Sequence, residues 1–297
     1  LMIRRPPRST LSPSSAASDV YKRQPGDHLE VGAPPVRTRE GWLLVYACVQ
    51  DYLSPSRPRL FRVEAALLDL DDPSRIIGQM EVPLLTAEEW YERIGLVPDV
   101  VFPSGALARR GQLYVYYGAA DTTCCTASVR LGALLGILLR REGTVRLRRA
   151  AHNPIIRPIG EHPWEARATF NPAAIRLRGR VHLVYRAMSE DNTSVFGYAV
   201  SADGMHVDYR HPEPIYVPRE EFEAKRVPGG NSGCEDPRLT RVGGRLYMFY
   251  TAYDGRNPSR VAVTSIAVRD FLARRWNWAR PVVITPPPVS YTHLRAH

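Results

Sequence analysis

Four segments of this chain repeat one pattern: a Gly-led turn, an apolar run closing on Tyr, a small residue and, usually, an acid. They read GWLLVY at 41–46, GQLYVYY at 111–117, GRVHLVY at 179–185 and GRLYMFY at 244–250. The closing tyrosines are Tyr46, Tyr117, Tyr185 and Tyr250, so the unit recurs every 65–71 residues. Each run is short, rich in β-branched and aromatic residues, and entered from a turn, which predicts strands. A second strand is expected after each, at 61–68, 128–135, 195–201 and 261–268, with Asp203-Gly204 and Gly243-Gly244 as hairpin turns. A strand-rich unit of this period predicts an all-β β-propeller, whose blades are four-stranded sheets. A β-sandwich with chance similarity between strands is the rival. Helical signal is confined to 86–94, with Thr86 as N-cap and Glu89 at the third position, and to 271–278.

Composition narrows the class. Hydrophobic residues make up 44% and charged residues 24% of the 297, the balance of a soluble globular protein. No apolar run approaches the ~20 residues that cross a bilayer. The longest, 131–139, ends in Arg140 and Arg141. Cys48, Cys124, Cys125 and Cys234 form no CxxC pair, so free thiols in a reducing compartment, and a cytoplasmic location, are expected. The net charge of +10 overstates any affinity for nucleic acid. Residues 1–24 and 289–297 resemble peptides translated from sequencing-adapter DNA at the ends of an assembled fragment, and are expected to lie outside the fold. They carry +4 and +1, leaving +5. A transit peptide is the rival for 1–24, which lacks the apolar core of a secretory signal.

In a propeller, small-molecule sites form where strands of different blades converge at the channel mouth. The polar residues after each Tyr run are therefore candidates: Asp51, Asp121, Arg186 with Glu190 and Asp191, and Asp254. Turn formation explains any one of them equally well. The segment 231–239, NSGCEDPRL, places Glu235, Asp236 and Arg238 between a Gly-rich loop and a strand. Pro237 favours an extended Asp236. Glu235 and Asp236 should then face opposite sides, with Arg238 beside Asp236. A structural ion pair in a turn is the alternative. Asn171 before Pro172, and the small residues of 101–106, are further candidates, with turns again the rival. Neither HExxH nor Cys/His spacing suggests a metal, and GxSxG and phosphate-loop motifs are missing.

Taken together, FNPAAI (170–175), VYRA (184–187), GCEDPRL (233–239) and TAYD (251–254) resemble the five-bladed propellers of glycoside hydrolase family 130, the β-mannoside phosphorylases and β-mannosidases. GAPP (32–35), VVFPSG (100–105) and YYGAADT (116–122) are similar to that family as well. The order differs from the family's usual one: the motifs of 30–135 normally close such a propeller, and those of 152–285 normally open one. The resemblance thus implies an incomplete five-bladed propeller of about four blade-like repeats. Residues 25–139 would be the C-terminal blades of a first unit, 140–151 a linker, and 152–288 the N-terminal blades of a second.

The resemblance also implies a chemistry. Family members remove a terminal β-mannosyl unit with inversion. In the phosphorylases, phosphate attacks the anomeric carbon and gives mannose 1-phosphate. Asp236 matches the proton donor. Asn171, Arg186, Arg238, Asp121 and Asp191 are the expected substrate-binding residues. No cofactor or metal is implied beyond phosphate as co-substrate. The expected partners are a β-mannoside oligosaccharide and phosphate, with homo-oligomerisation open and no nucleic-acid or membrane partner. The basic residues of the family's phosphate site would follow residue 288, and Ala47 stands where the family usually has His. The alternatives are an inverting β-mannosidase, which needs a base such as Glu190 or Asp191 to activate water, and a non-catalytic glycan-binding propeller.

Overall fold

The computed structural model describes residues 27–285 other than 53, 55, 57, 81, 141 and 142. The two expected tails lie outside the described residues. The first blade contains β1 (His28–Glu30), β2 (Val36–Arg37), β3 (Trp42–Gln50), β4 (Leu60–Leu68), β5 (Ile76–Gln79) and β6 (Leu85–Thr86). Its sheet runs β1-β3-β4-β5, with β2 on β3 and β6 on β4. One helical turn, α1 (Trp90–Arg93), leads to the second blade: β7 (Val101–Arg109), β8 (Gln112–Ala119) and β9 (Thr123–Arg130), then α2 (Leu131–Arg140) and β10 (Arg148–Arg149). The third blade is β11 (Ala168–Leu177), β12 (Arg180–Met188), β13 (Thr193–Ser201) and β14 (Tyr209–Arg210). The fourth is β15 (Ser232–Val242), β16 (Arg245–Tyr253), β17 (Arg260–Ala267), α3 (Val268–Leu272) and β18 (Val282–Val283). Within each blade the strands are antiparallel meanders. Two parallel pairs, Thr193 with Ser232 and Ser194 with Gly233, stitch the third blade to the fourth.

The repeated Tyr runs are the second strands, β3, β8, β12 and β16, as the sequence period predicts. Three apolar layers separate the four blades. Leu43, Leu67, Leu113 and Val115 fill the first. Leu107, Tyr116, Leu183 and Tyr185 fill the second. Phe196, Tyr198, Met248 and Tyr250 fill the third. Phe249 and Val261, on the far face of the fourth blade, stay 37% and 36% exposed. The architecture is an open arc of propeller blades.

Several local expectations are corrected. The second strand of the second repeat is Thr123–Arg130, and 131–140 is helix. Leu131, Leu134, Leu135 and Leu138 recur at helical spacing and pack onto the layer between the first two blades. The helix near 86–94 shrinks to Trp90–Arg93. Its N-cap is Glu89, not Thr86, and Glu92 rather than Glu89 closes the capping box. Likewise, 271–278 contributes only the end of α3. Part of the expected linker is ordered: β10 pairs with β9, and Leu147 is buried.

Each repeated tyrosine donates its hydroxyl to a buried glutamate. Tyr117 reaches Glu92 at 2.8 Å, Tyr185 reaches Glu165 at 2.8 Å, Tyr46 reaches Glu64 at 3.0 Å, and Tyr250 reaches Glu223. Arg149 Nε pairs with Glu92 at 2.8 Å, and Arg210 pairs with Glu165. A carboxylate this deep needs its charge and lone pairs answered. In the second and third blades the outermost strand supplies the cation, so the staple ties the second strand, the outer strand and the connection before the blade.

Candidate active site

The first strand of each later blade lies at the centre of the arc, and β7, β11 and β15 pack against one another there. Each carries a register shift at a proline: Pro103/Gly105, Phe170/Ala173 and Glu235/Arg238. Proline has no N–H for the ladder, so the strand bulges where it falls. The residue before proline in two of these bulges takes a left-handed backbone, Asn171 at φ 47° and Asp236 at φ 53°. Asn and Asp tolerate this region better than other non-glycine residues.

This geometry overturns the extended backbone expected at Asp236. Asp236 does not point away from Glu235. Arg186 binds both, with Nη2 to Glu235 Oε1 at 2.7 Å and Nη1 to Asp236 Oδ1 at 3.3 Å. Asn171 Nδ2 donates to the same Asp236 oxygen at 2.9 Å. Arg186 is fixed further by Nε donating to Ser194 Oγ at 3.0 Å and by the Phe170 ring 4.7 Å below its guanidinium. Asn171 is 5% exposed and Arg186 9%, whereas the Asp236 side chain keeps 30% exposure. Asp236 is thus the member of the trio that faces solvent.

Arg238 reaches main-chain carbonyls rather than the Asp236 carboxylate. Its Nε donates to the Gly32 carbonyl at 2.7 Å, and Nη1 donates to the carbonyls of Asp236 and Pro237 at 3.1 and 3.0 Å. It therefore clamps the bulge to the segment after β1. Burial pushes its pKa down, with Asp236 and Glu30 opposing.

Asp121 joins the cluster from the second blade, at φ 48° after β8. Burial, and then the Asp236 carboxylate, raise its pKa to about 6. Burial likewise raises Glu235, against the pull of Arg186. Glu30 is raised by burial and by Asp236, with His28 pulling the other way. Four acids from three of the blades thus crowd two guanidiniums, an arrangement of the kind that tunes acid-base groups. Burial alone would depress Arg186, but Glu235, Asp236 and Asp121 together raise it.

Asp191 is placed elsewhere. It caps the β12–β13 turn, accepting from Ser189 Oγ at 2.5 Å, Thr193 N at 3.1 Å and Thr193 Oγ1 at 3.0 Å. The Ser189 hydrogen bond leads in lowering its pKa. Glu190 is exposed in the same turn. Asp254 accepts from the main-chain N–H groups of Arg256 and Asn257 in the β16–β17 turn. Glu30 and Ser194 are the members that sequence reasoning missed. Neither sits in a motif, since one is a lone charge on a three-residue strand and the other a plain strand serine.

The chain matches glycoside hydrolase family 130, described as beta-1,4-mannooligosaccharide phosphorylase, over residues 15–140 and 146–276. It belongs to that family. It is 38% identical over 101 residues to a 1,2-beta-oligomannan phosphorylase of a Thermoanaerobacter species, covering 34% of this chain and 32% of the relative. It is 44% identical over 92 residues to a beta-1,2-mannobiose phosphorylase of the same organism, covering 31% and 28%. The chain therefore spans about a third of the length of these relatives. Among solved structures, a family 117 glycoside hydrolase from Zobellia galactanivorans superposes with a TM-score of 0.58 at 14% identity, over 88% of this chain and 71% of that one. That likeness concerns the fold. Among the described residues no helix is long and apolar enough to cross a membrane.

Proposed function

We propose that this chain forms the acid-bearing part of an inverting β-mannoside phosphorylase. The observation that carries the reading is Asp236, partly exposed at the centre of the arc, with one carboxylate oxygen held by both Asn171 and Arg186. Its proton would pass to the glycosidic oxygen as the bond from that oxygen to the anomeric carbon breaks. A phosphate oxygen would form the new bond from the opposite face, giving mannose 1-phosphate. Asn171, Arg186 and Asp121 would position the sugar, and Arg238 would hold the Asp236 bulge in place. The matched relatives are named as phosphorylases of β-mannosides, which supports the substrate class. Phosphate is the proposed co-substrate and no other cofactor is invoked. A cytoplasmic location, and a join at 140–151 between the blades of two propeller units, belong to the same proposal.

Hydrolysis is the second reading, favoured by one observation. An inverting hydrolase needs a second carboxylate to activate water, and Asp121, raised to about 6, stands in the electrostatic field of Asp236. Product analysis separates the two. Phosphorolysis gives mannose 1-phosphate only when phosphate is supplied. Free mannose released at one rate with and without phosphate replaces it with hydrolysis.

A further inference from the structure

A cleft of about 380 Å³ opens at the rim of the fourth blade, bounded by Phe222, Arg226, Ala252, Asp254, Asn257 and Arg260, with Pro258 and Glu221 at its edge. Its volume falls within the ~300–1,000 Å³ of small-molecule sites. The floor is rigid. Asp254, 3% exposed, accepts from Arg256 N at 2.9 Å, Asn257 N at 2.8 Å, Asn257 Nδ2 at 2.6 Å and Arg226 Nε at 3.0 Å. Arg260 gives Nη2 to the Thr285 carbonyl at 2.9 Å, while its buried Nε has no partner.

The position of the cleft relates it to Asp236. Thr251 is the cross-strand partner of Glu235, and Ala252 that of Cys234. Asp254 lies three residues beyond Thr251, roughly 10 Å along the strand at ~3.3 Å per residue. That is the reach of a short oligosaccharide, beyond that of a single ring. The lining also selects among ligands. Two cations, Arg226 and Arg260, balance two anions, Glu221 and Asp254, so no net charge draws in an anion. An aromatic face and a proline lie beside amide, guanidinium and carboxylate groups. This combination suits a neutral polyol: the apolar face of a sugar ring against Phe222, with its hydroxyls bonding to Asn257 and the arginines.

We propose that this cleft is a distal sugar subsite, binding the far end of a β-linked mannooligosaccharide whose terminal unit sits at Asp236. The inference rests on the β-mannoside reading of the Asp236 site. It assigns a preference for chain length to the β16–β17 turn.

Calorimetric titration of the 297-residue chain with β-mannobiose, β-mannotriose and β-mannotetraose tests it. Affinity should rise at least about tenfold once the ligand is long enough to reach the cleft. Pro258→Trp, at an exposed rim position, should remove that gain and leave β-mannobiose unchanged. Phe222→Leu, which keeps apolar bulk without the ring, should remove part of it. Equal affinity for all three lengths, or a gain that survives Pro258→Trp, overturns the subsite and leaves the β-mannoside reading standing. Weaker β-mannobiose binding in Pro258→Trp also overturns a separate distal site. Failure of all three sugars to bind the unmodified chain overturns the β-mannoside reading together with the subsite.

Discussion

Asn171 and Asp236 meet through a 2.9 Å hydrogen bond across 65 residues of sequence, and each does so from a left-handed backbone next to a proline. The inner strands of two adjacent blades bulge at matching points and turn these side chains toward each other. The bulge takes both residues out of the ladder and frees their side chains for this contact. It also places the main-chain carbonyls of Asp236 and Pro237 against Arg238.

Asp236→Asn preserves shape and removes the titratable proton. Turnover should fall by at least ~10²-fold, the low end for general acid catalysis. Steady-state kinetics on a β-mannoside provide the measurement. Activity within a few-fold of the parent protein would reduce Asp236 to a turn residue.

The raised pKa of Asp121 carries a stability cost with a defined sign. Between the ordinary carboxylate value of 3.8 and about 6, the folded state binds more protons than the unfolded state. Stability linked to this group is therefore lost as pH rises through that window, and the full penalty stands above pH 6. Asp121→Asn should stabilise the fold by roughly 2 kcal/mol at pH 7.5. The benefit should shrink toward zero near pH 4. Urea unfolding at the two pH values reads the difference, and a benefit equal at both would exclude the ionisation of Asp121 as its source.

The tyrosine staples make a different prediction. Glu165 is fully buried and answers Tyr185, Arg210 and His162. Glu165→Ala leaves Arg210 unpaired in a site that is only 18% exposed. The loss should be about 2–3 kcal/mol, below the 3–5 kcal/mol of a fully buried pair because the Arg210 side chain is partly solvated. A thermal or urea melt tests it, and a change under about 0.5 kcal/mol would place Glu165 among ordinary surface residues.

The blades were legible because Tyr46, Tyr117, Tyr185 and Tyr250 repeat at one spacing on strands of clear pattern. Asn171, Arg186 and Asp236 were legible as residues, since each sits in a short distinctive motif. Their orientation was not. A left-handed residue before proline leaves no mark in the sequence, so an extended reading of Glu235-Asp236-Pro237 was the default. The glutamates of the staples had a signal of their own, outside the tyrosine runs. Trp164-Glu165 and Phe222-Glu223 place an aromatic residue just before the acid, and Tyr91-Glu92 repeats it ahead of the second blade. Glu30 became visible only when the first blade was set beside the fourth.

Gly118 provides the most direct test of how the site is held. A Cβ built on it would lie 2.2 Å from Asn171 Oδ1, closer than such atoms approach, and a tight 3.0 Å from Asn171 N. The second blade therefore leaves room for the Asn171 amide by lacking a side chain at this position. Asn171 Oδ1 is buried there without a hydrogen-bond partner. Gly118→Ala should push Asn171 outward and break its bond to Asp236. Displacing a positioning group by about 1 Å costs up to ~10²-fold in turnover. The double variant Gly118→Ala with Asn171→Ala distinguishes this route from general damage. If the glycine acts through Asn171, adding Gly118→Ala to Asn171→Ala should lower turnover no further, because the group it displaces is already gone. Additive losses in kcat/KM would show that Gly118 serves some other contact of β8, and the close approach of Asn171 would then have no part in setting the acid.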